Sequence, residues 1–176
     1  MHSRLRAVET DITTLNVDII VNAANEPLDG GHGVNNAIQV AAGPELLEAC
    51  KRVVEVRPGV RCPTGEARIT PAFSLPCRYV IHTVGPIWKG GFNQEAELLI
   101  SCYRESLKLA SQFGTSVAFP SISAGAYGYP TDKACEIAVR ECMAFLRTDT
   151  TLDDIILVSY QSPVIFDILT KMIRYL

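Results

Sequence analysis

Residues 17–43 read VDIIVNAANEPLDGGHGVNNAIQVAAG, and the order of patterns inside this stretch decides the fold class. Its first part, DIIVN (18–22), is a continuous apolar run closed by a polar residue, as expected of a strand buried on both faces. A glycine-bearing loop follows (23–33), and a helical pattern runs from Val34 to Arg52. Gly43-Pro44 divides that helix in two, because glycine ends a helix well and proline suits the first turn of the next. Strand, glycine loop and helix therefore succeed one another within 27 residues.

The same alternation extends in both directions. Leu5–Val8 reads as a strand, as do 66–70, 79–84, 116–119 (stopped by Pro120) and 155–159. Residues 94–113 form a long amphipathic helix with Leu98, Leu99, Cys102, Leu107, Leu109 and Ala110 on its apolar stripe. Helices are also expected over 131–146, with Thr131 as N-cap, and over 164–175. Strands alternating with helices imply an α/β fold with a mixed, largely parallel sheet.

Composition narrows the function classes. The chain has 176 residues, 48% hydrophobic and 20% charged, with a formal net charge of −3. That length suits one domain with a sizeable core. No Lys/Arg run marks a nucleic-acid surface and no apolar stretch approaches a membrane span. The first residues, MHSRLRAVETD, carry no export signal, so the expected compartment is the cytoplasm. None of the six cysteines forms a CxxC pair; they are expected to be thiols in a reducing compartment rather than metal ligands or disulfides. No metal or cofactor is expected.

In sheets of this kind ligands bind where loops leave the C-terminal ends of the strands. Two loops stand out there. AANEPLDGGHG (23–33) has glycines at 30, 31 and 33 and leads into a helix whose first amides are unpaired and partially positive. It can cradle an anion, or equally serve as a tight connection. PSISAGAYGYP (120–130) offers a second set of amides, and Tyr127 and Tyr129 add aromatic surface for a sugar or base. Two such loops at one sheet edge point to a diphosphate-bearing ligand, although neither the Walker A nor the GxGxxG pattern is present. Taken alone, Asp11 reads as a turn or cap residue, one of Asn22 and Asn25 as holding its turn together, and His82 as a core histidine.

Together these stretches resemble the macro domain family, and within it the MacroD-type hydrolases that include bacterial O-acetyl-ADP-ribose deacetylases. The motifs that carry the resemblance are DIT (11–13), VDIIVNAAN (17–25), the GGHGV loop, AIQVAAGPELLEAC (37–50) and CPTGEARIT (62–70). LPCRYVIHTVGPIW (75–88), CYRESL (102–107) and VAFPSISAGAYGYP (117–130) follow in order. The resemblance covers nearly the whole chain and implies a single macro domain over 1–176, a three-layer α/β/α sandwich that binds ADP-ribose. It implies that Asp11 binds the adenine amino group, that Ile12 supplies a backbone amide, and that Asn25 contacts the distal ribose. It further implies that Gly30, Gly31, His32, Gly33 and Val34, with Ser123, Ala124, Gly125, Ala126, Tyr127 and Gly128, hold the diphosphate. Tyr127 would pack on the distal ribose and Tyr160 would lie beside the adenine. The implied partner is ADP-ribose or an ADP-ribosylated molecule; a nucleic acid enters only if it is itself ADP-ribosylated, and a membrane does not.

The chain departs from the family pattern GGGGVDxAIHxAAG where catalysis is concerned. His32 replaces a glycine, Asn35 the aspartate and Gln39 the histidine, and Thr10 stands where glycine is common. The aspartate is the residue expected to activate water, and an asparagine amide has no basic form near neutral pH. The implied catalytic positions are thus Asn25, Asn35 and His32, whose imidazole can act as a base, pair with phosphate or obstruct the cradle. Three readings follow: an ADP-ribose-binding module with weak or absent hydrolysis, a hydrolase using substrate-held water, and an interaction protein whose cleft His32 fills.

Overall fold

The computed structural model describes residues 3–176. Six strands form one sheet: β1 (Leu5–Glu9), β2 (Ile19–Ala23), β3 (Ala67–Pro71), β4 (Tyr79–Thr83), β5 (Ser116–Phe119) and β6 (Asp154–Ser159), in the order β1-β6-β5-β2-β4-β3. All pairings are parallel except β3 with β4. The helices are α1 (Gly33–Ala42), α2 (Pro44–Lys51), α3 (Glu95–Phe113), α4 (Thr131–Leu146) and α5 (Pro163–Tyr175). No helix among the described residues is long and apolar enough to cross a membrane.

Strand alternation sorts the core into two layers. Ile19, Val21 and Ile81 face one side with Leu99, Tyr103 and Leu107 of α3 and Ala138 and Val139 of α4. Ile20, Val80, Ala118 and Ile156 face the other, against Ile38, Ala42, Leu46 and Cys50 of α1 and α2. The three-layer sandwich with a mixed, largely parallel sheet is what the sequence led one to expect.

Several local expectations are corrected. Asp18 lies outside β2, although DIIVN reads as a strand from its first residue. Its carbonyl accepts from the amides of Arg78 and Tyr79, and its carboxylate from Thr115 N and Oγ1, so it ties the starts of three strands together. Pro130 is the N-cap of α4, making Thr131 the first helical residue, and no side chain caps the end. Leu98 and Leu109 are only half-buried; Tyr103 and Ser106 join the buried stripe of α3 instead.

Candidate functional site

β2 and β5 are neighbours, but the chain leaves them for opposite faces of the sheet: β2 runs into α1 and β5 into α4. The two loops therefore diverge above the strand ends and open a crevice, the position where ligands bind in open α/β sheets. A cleft of about 270 Å³ lies there. It is lined by Ala23, Ala24, Asn25 and Gly30–Asn35 from one loop and by Ser121, Ser123, Gly125, Ala126 and Tyr127 from the other.

The first wall is held by Asn25. Its Nδ2 donates to Asp29 Oδ1 (2.7 Å) and Gly30 O (2.9 Å), and its Oδ1 accepts from Asp29 N (3.3 Å). Gly30 (φ +93°) and Gly33 (φ +59°) occupy the left-handed region that side chains resist. His32, by contrast, has an ordinary extended backbone (φ −117°, ψ 174°), so a side chain is tolerated at this position without strain. It is the N-cap of α1 but makes no capping bond. The amides of residues 30–35 accordingly find no partner among the described residues, and the end of α1 keeps its positive character. His32 is exposed on the rim, and the cleft it lines is open, which contradicts the reading in which this side chain fills the pocket.

The second wall is braced from below. Ser123 is buried with φ +62°, its Oγ donates to Pro86 O (2.8 Å), and its carbonyl accepts from Tyr129 N (3.0 Å). Gly85 lies so close that a Cβ there would collide with Ser123 Oγ and stand 2.7 Å from Ile122. Gly128 N closes onto Gly125 O (3.0 Å), leaving the amides of Gly125, Ala126 and Tyr127 without a partner among the described residues. Tyr129 does not supply cleft surface as expected. It is 3% exposed and packs at a tilt against Trp88, with ring centroids 4.7 Å apart, because the turn at Gly128 directs it inward.

The remaining site candidates stand apart from the cleft. Asp11, Ile12 and Tyr160 gather at the ends of β1 and β6, joined by Thr10 N donating to Ser159 O (2.9 Å). Asp11 Oδ1 accepts from Thr13 N and Oγ1 (2.9 and 2.7 Å), a cap on the 3-10 turn Ile12–Thr14. Tyr160 is 61% exposed, Ile12 is buried, and neither Ala124 nor Gly128 lines the cleft.

Among the family departures, Asn35 is at the cleft and Gln39 is not. Asn35 is 5% exposed and accepts from Asn22 Nδ2 at 2.9 Å. Gln39 lies beside Asn36, Val40 and Gly43 in a separate hollow, and its Oε1 is buried without a hydrogen-bond partner among the described residues. His82 is fully buried between Asn22 and Thr70, and burial pushes its imidazole down to about 4, so it is neutral at pH 7. All six cysteines are free and buried. Burial pushes Cys62 up to about 12 and Cys77, Cys102 and Cys135 to about 11, which leaves no thiolate nucleophile near neutrality at these four.

Sequence reasoning passed over Gly85, Thr70 and Glu95; it read His82 as a core histidine, which its burial bears out, and considered Asn22 only for its turn, without joining the two. Gly85-Pro86 directly after a strand was the one available signal for the first. Glu95 is buried at the start of α3, and its carboxylate accepts from the amides of Lys89, Gly91 and Asn93. Desolvation works against the charge, but these amides prevail and hold the carboxyl at about 2, fixing the loop beneath Tyr127.

Comparison with known proteins agrees with this geometry. The macro domain family model matches residues 21–138. A macro domain-containing protein of Xanthomonas campestris pv. campestris is 55% identical over 158 residues, spanning 89% of this chain and 88% of its own. The O-acetyl-ADP-ribose deacetylase of Escherichia fergusonii is 52% identical over 161 residues (91% and 90%). Among solved structures, the Oceanobacillus iheyensis macrodomain with ADP superposes with a TM-score of 0.88 at 42% identity, covering 97% of this chain and 90% of that one. The Trypanosoma brucei macrodomain in complex with ADP-ribose gives 0.84 at 36% identity (96% and 68%). With a sandwich of matching topology, two amide-rich loops at one strand-end crevice, and a family match across most of its length, the chain belongs to the macro domain family.

Proposed function

We propose that this protein binds ADP-ribose, free or attached to another molecule, and hydrolyses such conjugates weakly or not at all. The observation that carries the binding is the pair of unpaired amide runs, 30–35 and 125–127, facing each other across one cleft. Such runs suit the oxygens of a diphosphate. β1 lies three strand spacings from β2, about 14 Å. An elongated ligand with its diphosphate at the crevice would thus extend its base to Asp11, Ile12 and Tyr160. Asp11 Oδ2 is the oxygen that remains for an exocyclic amine. Asn25 and Tyr127 would meet the distal ribose at the other end. Macrodomains solved with ADP and with ADP-ribose support this reading.

Weak turnover follows from Asn35. The amide has no basic form near neutrality, and its carbonyl oxygen is already engaged by Asn22. A second reading is favoured by the relatives named O-acetyl-ADP-ribose deacetylase at 52% identity. In it, water held by the substrate phosphate, Asn25 and His32 adds to the acyl carbonyl. The ester C–O bond breaks, the ribose oxygen takes the proton and acetate leaves. The six buried thiols favour a reducing compartment, and we assign the protein to the cytoplasm on that ground.

Titration calorimetry with ADP-ribose tests the binding, and absence of heat at any accessible concentration would refute it. Deacetylation of O-acetyl-ADP-ribose by the natural protein and by Asn35→Asp tests the chemistry. A gain of about 10²–10⁴-fold on restoring the carboxylate is expected if the base is what is missing. Equal, high activity in both, lost in Asn25→Ala, would establish the second reading instead.

A further inference from the structure

On the α1 side of the sheet runs a row of buried polar side chains that touches the cleft at only one end. Register sets Asn22 of β2 opposite His82 of β4, while Thr70 of β3 stands one step along on the same face. Asn22 is 0% and His82 1% exposed. Asn22 Nδ2 lies 2.9 Å from Asn35 Oδ1 and 3.2 Å from His82 Nδ1. His82 Nε2 in turn lies 2.9 Å from Thr70 Oγ1 and 3.7 Å from Cys50 Sγ. The row therefore connects a neutral imidazole, through one amide, to the residue at the family's catalytic position.

A primary amide and an imidazole can each be turned to either polarity, and the contacts decide between them. In one orientation the two N–H bonds of Asn22 are both used, by Asn35 and by His82 Nδ1, and only the Asn22 carbonyl oxygen is left without a partner. In the reverse orientation the Asn22 oxygen accepts from both neighbours, and two N–H groups are left buried and unpaired. Leaving two donors unpaired costs more than leaving one acceptor. The first orientation requires Nδ1 to accept, which puts the ring hydrogen on Nε2, where Thr70 Oγ1 receives it. It also commits Asn35 Oδ1 to Asn22, so that Asn35 Nδ2 is the atom left over. That nitrogen has no partner among the described residues and sits 3.0 Å from where a Cβ on Gly31 would project, at the cleft wall.

We infer that His82 is a positioning residue which, as the Nε2–H tautomer, orients Asn22 so that Asn35 presents an N–H₂ donor, not an acceptor, to the cleft. At this point the cleft recognises a ligand oxygen. A water bound there is held by its lone pair with its protons turned away, the wrong orientation for proton removal. The same polarity also suits a carboxylate at position 35, since Asn22 already offers it a donor. The inference concerns the free protein and stands whichever ligand the cleft takes.

The test is nitrogen NMR of the unliganded protein at pH 7. The ring correlations of His82 are expected to show a bare Nδ1 and a protonated Nε2. The Asn22 side-chain amide is expected to exchange with solvent about tenfold more slowly than that of Asn35, the protection of roughly one net hydrogen bond. In His82→Phe that difference is expected to collapse. A protonated Nδ1, an Asn35 amide as protected as Asn22, or an undiminished difference in a folded His82→Phe variant would each overturn the inference. If that variant does not fold, the ring and amide measurements on the natural protein decide alone.

Discussion

Acidification should destabilise this protein through His82 well before its carboxylates titrate. The imidazole is completely buried, and burial lowers it from 6.5 to about 4. In the unfolded chain it takes up a proton as the pH falls through about 6.5, while the folded state refuses one until about pH 4. The unfolded state therefore binds more protons throughout that window, so stability falls with falling pH and levels off below about 4. Integrating the difference gives a loss of about 2 kcal/mol between pH 7.5 and pH 5, and about 3 kcal/mol in full. The carboxyls of Asp18, Asp149 and Glu95, all held below their ordinary values, start to lose their contribution only as the pH falls into the ordinary carboxylate range, which leaves the upper part of the window clear. Urea unfolding followed by the fluorescence of the single tryptophan, Trp88, measures the effect at pH 7.5, 6 and 5. His82→Gln is expected to be less stable at pH 7.5 but to lose about 2 kcal/mol less than the natural protein on going to pH 5. Equal unfolding free energies at pH 7.5 and 5 in the natural protein would refute the reasoning. So would the same pH loss in both proteins.

Other perturbations separate the roles of the two loops. Gly33→Val forces a β-branched residue to φ +59°, at a cost of about 1–2 kcal/mol, and should abolish ADP-ribose heat in calorimetry while the protein still folds. Gly85→Ala drives a methyl into Ser123 Oγ and Ile122, so it should weaken ADP-ribose binding about tenfold or more although Gly85 itself does not line the cleft, an overpacking effect that a lowered melting temperature would accompany. The Glu95 carboxylate contributes stability that is complete above its ordinary 4.5 and lost as the pH falls through about 2, so Glu95→Gln should flatten the acid unfolding transition seen by circular dichroism in that range. His32→Ala should leave the melting temperature nearly unchanged, because the side chain is exposed and caps nothing; a large drop would show that the imidazole has a structural partner.

The fold was legible because its signals are local. DIIVN, the Gly43-Pro44 break and the stop at Pro120 each declare an element by composition and period, and the elements lie within a residue or two of where those signals set them. The candidate cleft was legible for a related reason: glycine is needed where the backbone takes positive φ, and 30 and 33 are glycines for that cause. Tyr127 and Tyr129, two residues apart in a glycine-rich loop, look equivalent in sequence. Only the closure of Gly128 onto Gly125 sends one to the cleft and the other into the core against Trp88.

The sequence by itself determined the alternation of strands and helices, the two amide-rich loops and the amide side chain at Asn35, where the resemblance implies an aspartate. It did not determine what Asn35 faces. That depends on β2 standing between β4 and β5, a pairing between segments some 60 residues apart for Asn22 and His82. Alternation assigns Asn22, His82 and Thr70 each to a face of its own strand, but strand order and register alone make them neighbours, and these are set by long-range contacts. The tertiary structure thus decided that the buried row reaches the cleft through Asn35, and hence that the hydrogen-bonding character of the site is governed from within the core.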